Sequence, residues 1–393
     1  MPVLARRAAA CCVRCDSVLR QDRTDPAGRS LALACAALLL FLLAATLPLL
    51  DLDLAGGRQT RLVTGPEALR QDGMWEIGIV VLSTTMLAPL LKLLAMIYVL
   101  VGLRLTRPPL HLASVFRWVE RLGPWSMIEV FMLGVFVAYT KLSDLAPVHV
   151  GGAVYALGAL MLMMAAADAV LDHDAIWEKI EPAGLAAATA PRPHARLIGC
   201  DACGQVCERP AAGTRDCPRC GAVLHHRKAN SLSRAWALLA AAAVLYIPAN
   251  MLPVLTAIRL GQGQPSTILA GVEELGTQGQ WPLAALVFIA SIVVPMLKLL
   301  GLGFLLLSTQ RRMRGKLGQR TLLYKIVEAV GRWSMIDVFM ISILTALVRM
   351  GALATITPGP GVICFCAVVI LTILAANCFD PRLMWDAAER EKP

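Results

Sequence analysis

The feature that most restricts how this chain can fold is a succession of eight apolar runs, at about residues 31–50, 75–103, 126–146, 151–171, 235–256, 281–307, 334–353 and 361–379. Each approaches or exceeds the roughly 20 helical residues that cross a bilayer core of about 30 Å. No water satisfies the backbone inside that core, so runs of this length fold as helices. The first run follows Arg29 without a small-x-small cleavage site and reads as a retained span. Only 16% of the residues are charged, against about 25% in soluble domains. The pattern predicts an all-α polytopic membrane protein.

The runs come in two matched sets. Gly123-Pro-Trp-Ser-Met-Ile-Glu-Val-Phe-Met132 returns 208 residues later as Gly331-Arg-Trp-Ser-Met-Ile-Asp-Val-Phe-Met340. Ala88-Pro-Leu-Leu-Lys-Leu-Leu94 returns as Val294-Pro-Met-Leu-Lys-Leu-Leu300, and Gly73-Met-Trp as Gly279-Gln-Trp, both at an offset of 206. Four spans per copy leave the ends of each copy on one side, so the copies face the same way, related by an axis along the membrane normal. The expected organisation is a tail (1–30), a four-span module (31–177), an Ala/Pro-rich linker (178–199), a zinc ribbon (200–228) and a second four-span module (229–393). The loops opposite the tail are expected to carry short elements: a strand over Arg61–Thr64 and a helix opening at Pro66, echoed around Glu273-Glu274-Leu275.

Basic residues concentrate in alternate connections, which places them in the cytoplasm. Arg6, Arg7, Arg14, Arg20, Arg23 and Arg29 precede the first span; Arg104, Arg107, Arg117 and Arg121 follow the second; Arg311, Arg312, Arg314, Lys316 and Arg320 follow the sixth. Both termini and the central linker are therefore expected inside. The net charge of +10 is largely this bias, with attraction to anionic lipid heads, and gives no ground for a nucleic-acid partner.

Cys200-Asp-Ala-Cys203 and Cys217-Pro-Arg-Cys220 are two tight cysteine pairs joined by a short loop, the spacing that sets four thiolates around Zn²⁺. A reducing cytoplasm favours metal over disulfide, and structural zinc is the first reading, with a redox dithiol and iron as the others. Cys207 is a bystander. Cys12 and Cys15 form a CxxC with no second pair before the first span, so they are either a vestige or a partial site borrowing Cys11 or a partner's ligands.

Ions inside the spans are the other chemical signal, because an intramembrane charge is costly and by default functional. Lys298 lies 17 residues beyond Trp281, about 25 Å into the membrane, and Asp337 enters from the opposite side to a compatible depth. Pro295 frees a backbone carbonyl one turn before Lys298, Ser291 shares its face, and Thr372 lies mid-span in the eighth helix. Lys92 and Glu129 are their first-copy counterparts. The competing reading has Lys298 snorkelling to the interface, Asp337 capping its helix, and the hydroxyls back-bonding to their own turns.

GxxxxGK[ST], GxSxG and HExxH are all absent, and the chain is not expected to be an enzyme. The order of CxxC ribbon, P-x-x-K-L-L span and W-S-M-I-[DE]-V-F span, given twice, resembles the paraquat-inducible protein A family over essentially the whole chain. Trp333–Phe339 and Cys217-Pro-Arg-Cys220-Gly221 are its most specific pieces. The resemblance implies an inner-membrane component of a lipid-transport system, with phospholipid as cargo and a periplasmic MCE-domain protein as partner. It also implies a polar network in the second module at Lys298, Ser291, Asp337 and Thr372. Coupling to the proton gradient through a Lys298–carboxylate network is the mechanism it suggests. The departures from the family are the truncated first ribbon, which puts metal at the N-terminus in question, and Glu129 where the second copy has Asp337, which keeps the charge. A small-solute secondary transporter and a non-transporting, zinc-stabilised scaffold or redox sensor remain as alternatives.

Overall fold

The computed structural model describes residues 9–11, 18–21, 25–52, 58–105, 109, 111–143, 148–180, 197–208, 215–259, 262–313, 315–348 and 354–389. Cys12, Cys15 and most of the predicted linker lie outside them. Among the described residues, eight helical segments are long and apolar enough to cross a membrane: Pro26–Thr46, Trp75–Gly102, Leu112–Ser143, Gly152–Val170, Ser231–Met251, Trp281–Gln310, Leu317–Leu347 and Gly361–Cys378. They overlap the eight expected runs, the third and seventh starting earlier, at Leu112 and Leu317, and the protein is a multi-pass, mostly helical membrane protein.

The first half comprises α1 (Pro26–Thr46), α2 (Thr64–Gln71), α3 (Trp75–Leu82), α4 (Ala88–Gly102), α5 (Leu112–Leu122), α6 (Ile128–Ser143), α7 (Gly152–Val170) and α8 (His173–Ile180). The second comprises α9 (Ser231–Met251), α10 (Ile268–Thr277), α11 (Trp281–Phe288), α12 (Val294–Gln310), α13 (Leu317–Gly331), α14 (Ile336–Leu347), α15 (Gly361–Cys378) and α16 (Arg382–Glu389). Spans two and six each contain a π-turn, at Ser83–Leu87 and Ile289–Val293. The cause is local. Pro89 and Pro295 have no N–H, and their rings crowd the carbonyl four residues back, so the turn before them widens. Hydroxyls fill part of the loosened ladder: Thr85 Oγ1 donates to Val81 O at 2.7 Å and Ser291 Oγ to Val287 O at 2.6 Å.

Short strands cap the loops. A hairpin pairs β1 (Ala9–Cys11) with β2 (Val18–Gln21). β3 (Leu50–Leu52), after the first span, pairs antiparallel with β4 (Arg58–Thr60) and with β5 (Val148–Val150), which precedes the fourth. Two further hairpins join β6 (Leu197–Gly199) to β7 (Val206–Glu208) and β8 (Arg215–Asp216) to β9 (Val223–Leu224). The second half repeats the three-stranded sheet as β11 (Gln262–Ser266), β10 (Leu255–Arg259) and β12 (Ala354–Pro358). The strand expected at Arg61–Thr64 is displaced to Arg58–Thr60. Thr64 Oγ1 accepts from Arg61 N at 2.9 Å and donates to Arg61 O at 2.7 Å, which closes a turn over those residues instead.

The chain forms two compact units: Met1–Leu43, Ala88–Ser126 and Ala156–His226 in one; Ala44–Leu87, Met127–Tyr155 and Arg227–Pro393 in the other. In the first, Ser30 Oγ donates to Ala167 O at 3.1 Å, tying the first span to the fourth. In the second, Leu239, Leu302, Leu305, Leu306, Val327 and Phe379 build an apolar core between α9, α12, α13 and α15. There too α6 meets α14: Phe131 and Phe339 stack edge to face at 5.6 Å, and Gly134 leaves room for the Phe339 side chain.

Candidate functional site

The four cysteines of the first unit meet as their spacing requires. The Sγ atoms of Cys200, Cys203, Cys217 and Cys220 lie within 4.8 Å of one another, all buried. Each pair sits on the same knuckle. Cys200 N donates to Gln205 O (2.8 Å) and Gly204 N to Cys200 O (3.0 Å); Cys217 N donates to Ala222 O (2.7 Å) and Gly221 N to Cys217 O (2.8 Å). Gly204 and Gly221 carry φ of +70° and +67°, which a side chain would resist. The thiols compete for protons: the hydrogen bond with Cys203 pulls Cys200 down to about 5, and burial pushes Cys220 up to about 12. Four converging sulfurs of this kind suit a cation that holds them all as thiolates. Cys207 stands apart, its Sγ 3.9 Å from Gln205 O.

The intramembrane lysines have different surroundings. In the first unit, Lys92 Nζ pairs with Asp168 Oδ2 at 2.5 Å, joining span two to span four. In the second unit, Lys298 is 2% exposed. Its ammonium donates to Gly331 O and Ser334 Oγ, both at 3.4 Å, and no ion pair reaches it among the described residues. Gly331 closes α13, so Lys298 sits at the carbonyl end of a helix, where the backbone dipole favours a cation.

Asp337 lies one turn beyond Ser334, on the same face. It is 4% exposed, and among the described residues neither carboxylate oxygen has a hydrogen-bond partner. Ser291 and Lys141 are its electrostatic neighbours, although the Ser291 hydroxyl is committed to Val287 O. Lys141, near the end of α6, also feels Glu274 of α10. The side chains therefore form a polar track within one unit: Lys298 beside Ser334, Ser291 beside Asp337, then Lys141 and Glu274.

The expected residues divide accordingly. Lys298, Ser291 and Asp337 belong to this track, Lys298 and Asp337 having different neighbours, while Pro295 follows the π-turn of the same span. Thr372 is fully buried and donates to Val369 O at 2.9 Å within its own helix. Glu129 is exposed, whereas its counterpart Asp337 is buried. Sequence reading passed over Lys141, Ser334 and the partnership of Asp168. Lys141 was visible as a lysine near the end of a span, and Asp168 as an acid late in the fourth run. Ser334 sat inside the repeated motif but drew no attention beside its charged neighbour.

A multi-pass protein with buried, incompletely paired charges between its spans, and a four-cysteine centre, has the makings of a membrane transport component. Comparison with known proteins gives it a family. The sequence model of paraquat-inducible protein A matches residues 28–181 and again 232–389, and the chain belongs to that family. It is similar to the intermembrane transport protein PqiA of Escherichia coli (34% identity; 98% of this chain, 93% of the relative). Similarity to the lipophilic envelope-spanning tunnel protein A of the same organism is also 34% (99% and 89%). A probable intermembrane transport protein of Haemophilus influenzae is 25% identical (97% and 91%). No solved structure matches the chain significantly.

Proposed function

We propose that this protein is the inner-membrane component that passes phospholipid between the inner membrane and a periplasmic tunnel of MCE domains. Its termini and cysteine hairpins lie in the cytoplasm, and its two three-stranded sheets in the periplasm. The two halves act as tandem four-span modules. Zinc, held by Cys200, Cys203, Cys217 and Cys220, supplies structural cross-linking.

The observation that carries this reading is Lys298, an ammonium inside a span with, among the described residues, a carbonyl and a hydroxyl as its hydrogen-bond partners. Burying such a charge costs several kcal/mol, and a fold that needed only packing would place an apolar residue there. An uncommitted ammonium can attract a lipid phosphate as it passes. Asp337, between Ser291 and Lys141, can gain or lose a proton and so loosen or tighten its hold on Lys141, which would couple the passage to the proton gradient. A small polar solute fits less well than a lipid. The open groove of the second unit, between α10 and α11, is lined mainly by Ala284, Ala285, Phe288, Val272 and Trp281.

The test is complementation in a strain that depends on this system. Lys298→Ala and Asp337→Asn should each fail to restore envelope integrity while accumulating normally in the membrane. Full restoration by both would remove the polar track from the mechanism. Metal analysis of the purified chain should return about one zinc, lost with Cys217→Ser. Iron, or reversible oxidation of the thiols with no metal bound, would replace zinc with a redox role.

A further inference from the structure

The two halves treat one periplasmic helix pair differently. In the first, α2 packs against α3 so closely that a methyl on Gly78 would come within 2.8 Å of Pro66 O. Glu67 on α2 is neutralised by Arg70, with Oε1 to Nη2 at 2.7 Å and Oε2 to Nε at 3.0 Å. That guanidinium holds the Glu67 carboxyl below its usual range. An offset of 206 residues carries Glu67 to Glu273, Arg70 to Gly276 and Gly78 to Ala284. The second half has thus lost the arginine that would pair with its acid, and has gained a methyl where the first half needs none.

The consequence is a groove of about 480 Å³ between α10 and α11, lined by Val272, Glu273, Gly276, Thr277 and Trp281 at its mouth and Ala284, Ala285 and Phe288 below. Such a volume falls in the range of about 300–1,000 Å³ that holds small ligands. Among the described residues no basic side chain lines it, and Trp281 at the mouth is 70% exposed. Polarity falls along its length: a carboxylate and an indole at the end of span six where interfacial tryptophans sit, then two alanines one turn deeper and a phenylalanine two turns deeper.

We propose that this groove is a binding site for one acyl chain of a phospholipid whose headgroup bears a primary amine, taken from the surrounding bilayer. The chain lies along Ala284, Ala285 and Phe288. The ammonium pairs with Glu273 and lies over the Trp281 ring, an arrangement favoured by charge and by the ring quadrupole. An anionic headgroup such as phosphoglycerol meets the Glu273 carboxylate with no basic side chain in the lining, among the described residues, to offset it. This site rests on the lipid-transport reading and names the class of lipid that enters.

Trp281 provides the probe. The full-length chain is placed in nanodiscs of phosphatidylcholine doped with brominated phosphatidylethanolamine or brominated phosphatidylglycerol. The quenching due to Trp281 is taken as the difference from Trp281→Phe. The wild-type chain should prefer the ethanolamine lipid about tenfold, ordinary for one charge-assisted hydrogen bond. The preference should vanish in Glu273→Gln and in Gly276→Arg, which restores the first half's ion pair. Equal quenching by both lipids, or a preference unchanged in both variants, would reduce the groove to ordinary annular contact and overturn the inference. Lys298→Ala should keep the headgroup preference. Loss of preference at Glu273 therefore bears on this site alone, while normal transport by Lys298→Ala bears on the reading beneath it.

Discussion

Lys92 and Lys298 occupy the same place in two copies of one sequence, three residues after a proline and one turn beyond a π-turn. Lys92 has Asp168 at 2.5 Å; Lys298 has a carbonyl and a hydroxyl. The residue 208 positions after Asp168 is Ala376, so the second copy has no acid where the first keeps one. The contrast separates two uses of an intramembrane charge. A lysine with its own carboxylate is a cross-link between helices, silent towards passing ions. Without one the fold bears the cost through a helix end and a serine, and in the proposed function the ammonium stays available to a ligand. The acids show the same divergence in reverse: Glu129 faces outward, while Asp337 is enclosed with unmatched oxygens.

That contrast can be broken by exchanging the environments. The largest effect is expected from Ala376→Asp, which offers Lys298 the acid that Asp168 offers Lys92. Lipid transport should fall by roughly a hundredfold, because a committed ammonium no longer meets phosphate. Thermal stability in detergent reports whether the pair forms, since Ala376 is buried in the apolar core and an unpaired acid there destabilises it. Unchanged transport would show that Lys298 does not act as a free cation. Asp337→Asn should follow, with a loss of about tenfold and a flattened pH dependence of transport. A pH profile parallel to wild type would exclude Asp337 as the proton site. Lys92→Ala should act on stability, by about 1–2 kcal/mol, less than the roughly 3–5 of a fully enclosed pair since Asp168 is half-exposed. Guided unfolding in detergent measures it, and a stability equal to wild type would mean that the pair holds nothing together. Ser334→Ala should be mildest, removing one of two weak acceptors at 3.4 Å and costing transport about two- to threefold.

The eight spans were legible because hydropathy over 20 residues is a property of the chain alone, and the cysteine centre because ligand spacing within a knuckle is local. The repeat told where equivalent residues lie but not which would diverge. That Asp168 closes on Lys92 depends on the packing of spans 76 residues apart, and Lys141 approaches Asp337 from the other half of the chain. Depth along two helices could be estimated by counting residues; their rotation could not. Counting sets Lys298 and Asp337 at compatible depths; rotation brings Lys298 to Ser334 and leaves Asp337 with Ser291 and Lys141 as its electrostatic neighbours. The displaced strand at Arg58–Thr60 has the same origin, since a threonine side chain closing a turn outweighed the β-propensity of Leu62 and Val63.

The central claim is that the second copy of this motif transports and the first holds its helices together. The most direct measurement is the rate of phospholipid transfer by the full-length chain with the proposed MCE-domain partner, comparing Lys298→Ala with Lys92→Ala at equal amounts of folded protein. Transfer should be abolished in Lys298→Ala and largely kept in Lys92→Ala. Equal rates for the two variants, or the greater loss in Lys92→Ala, would contradict it.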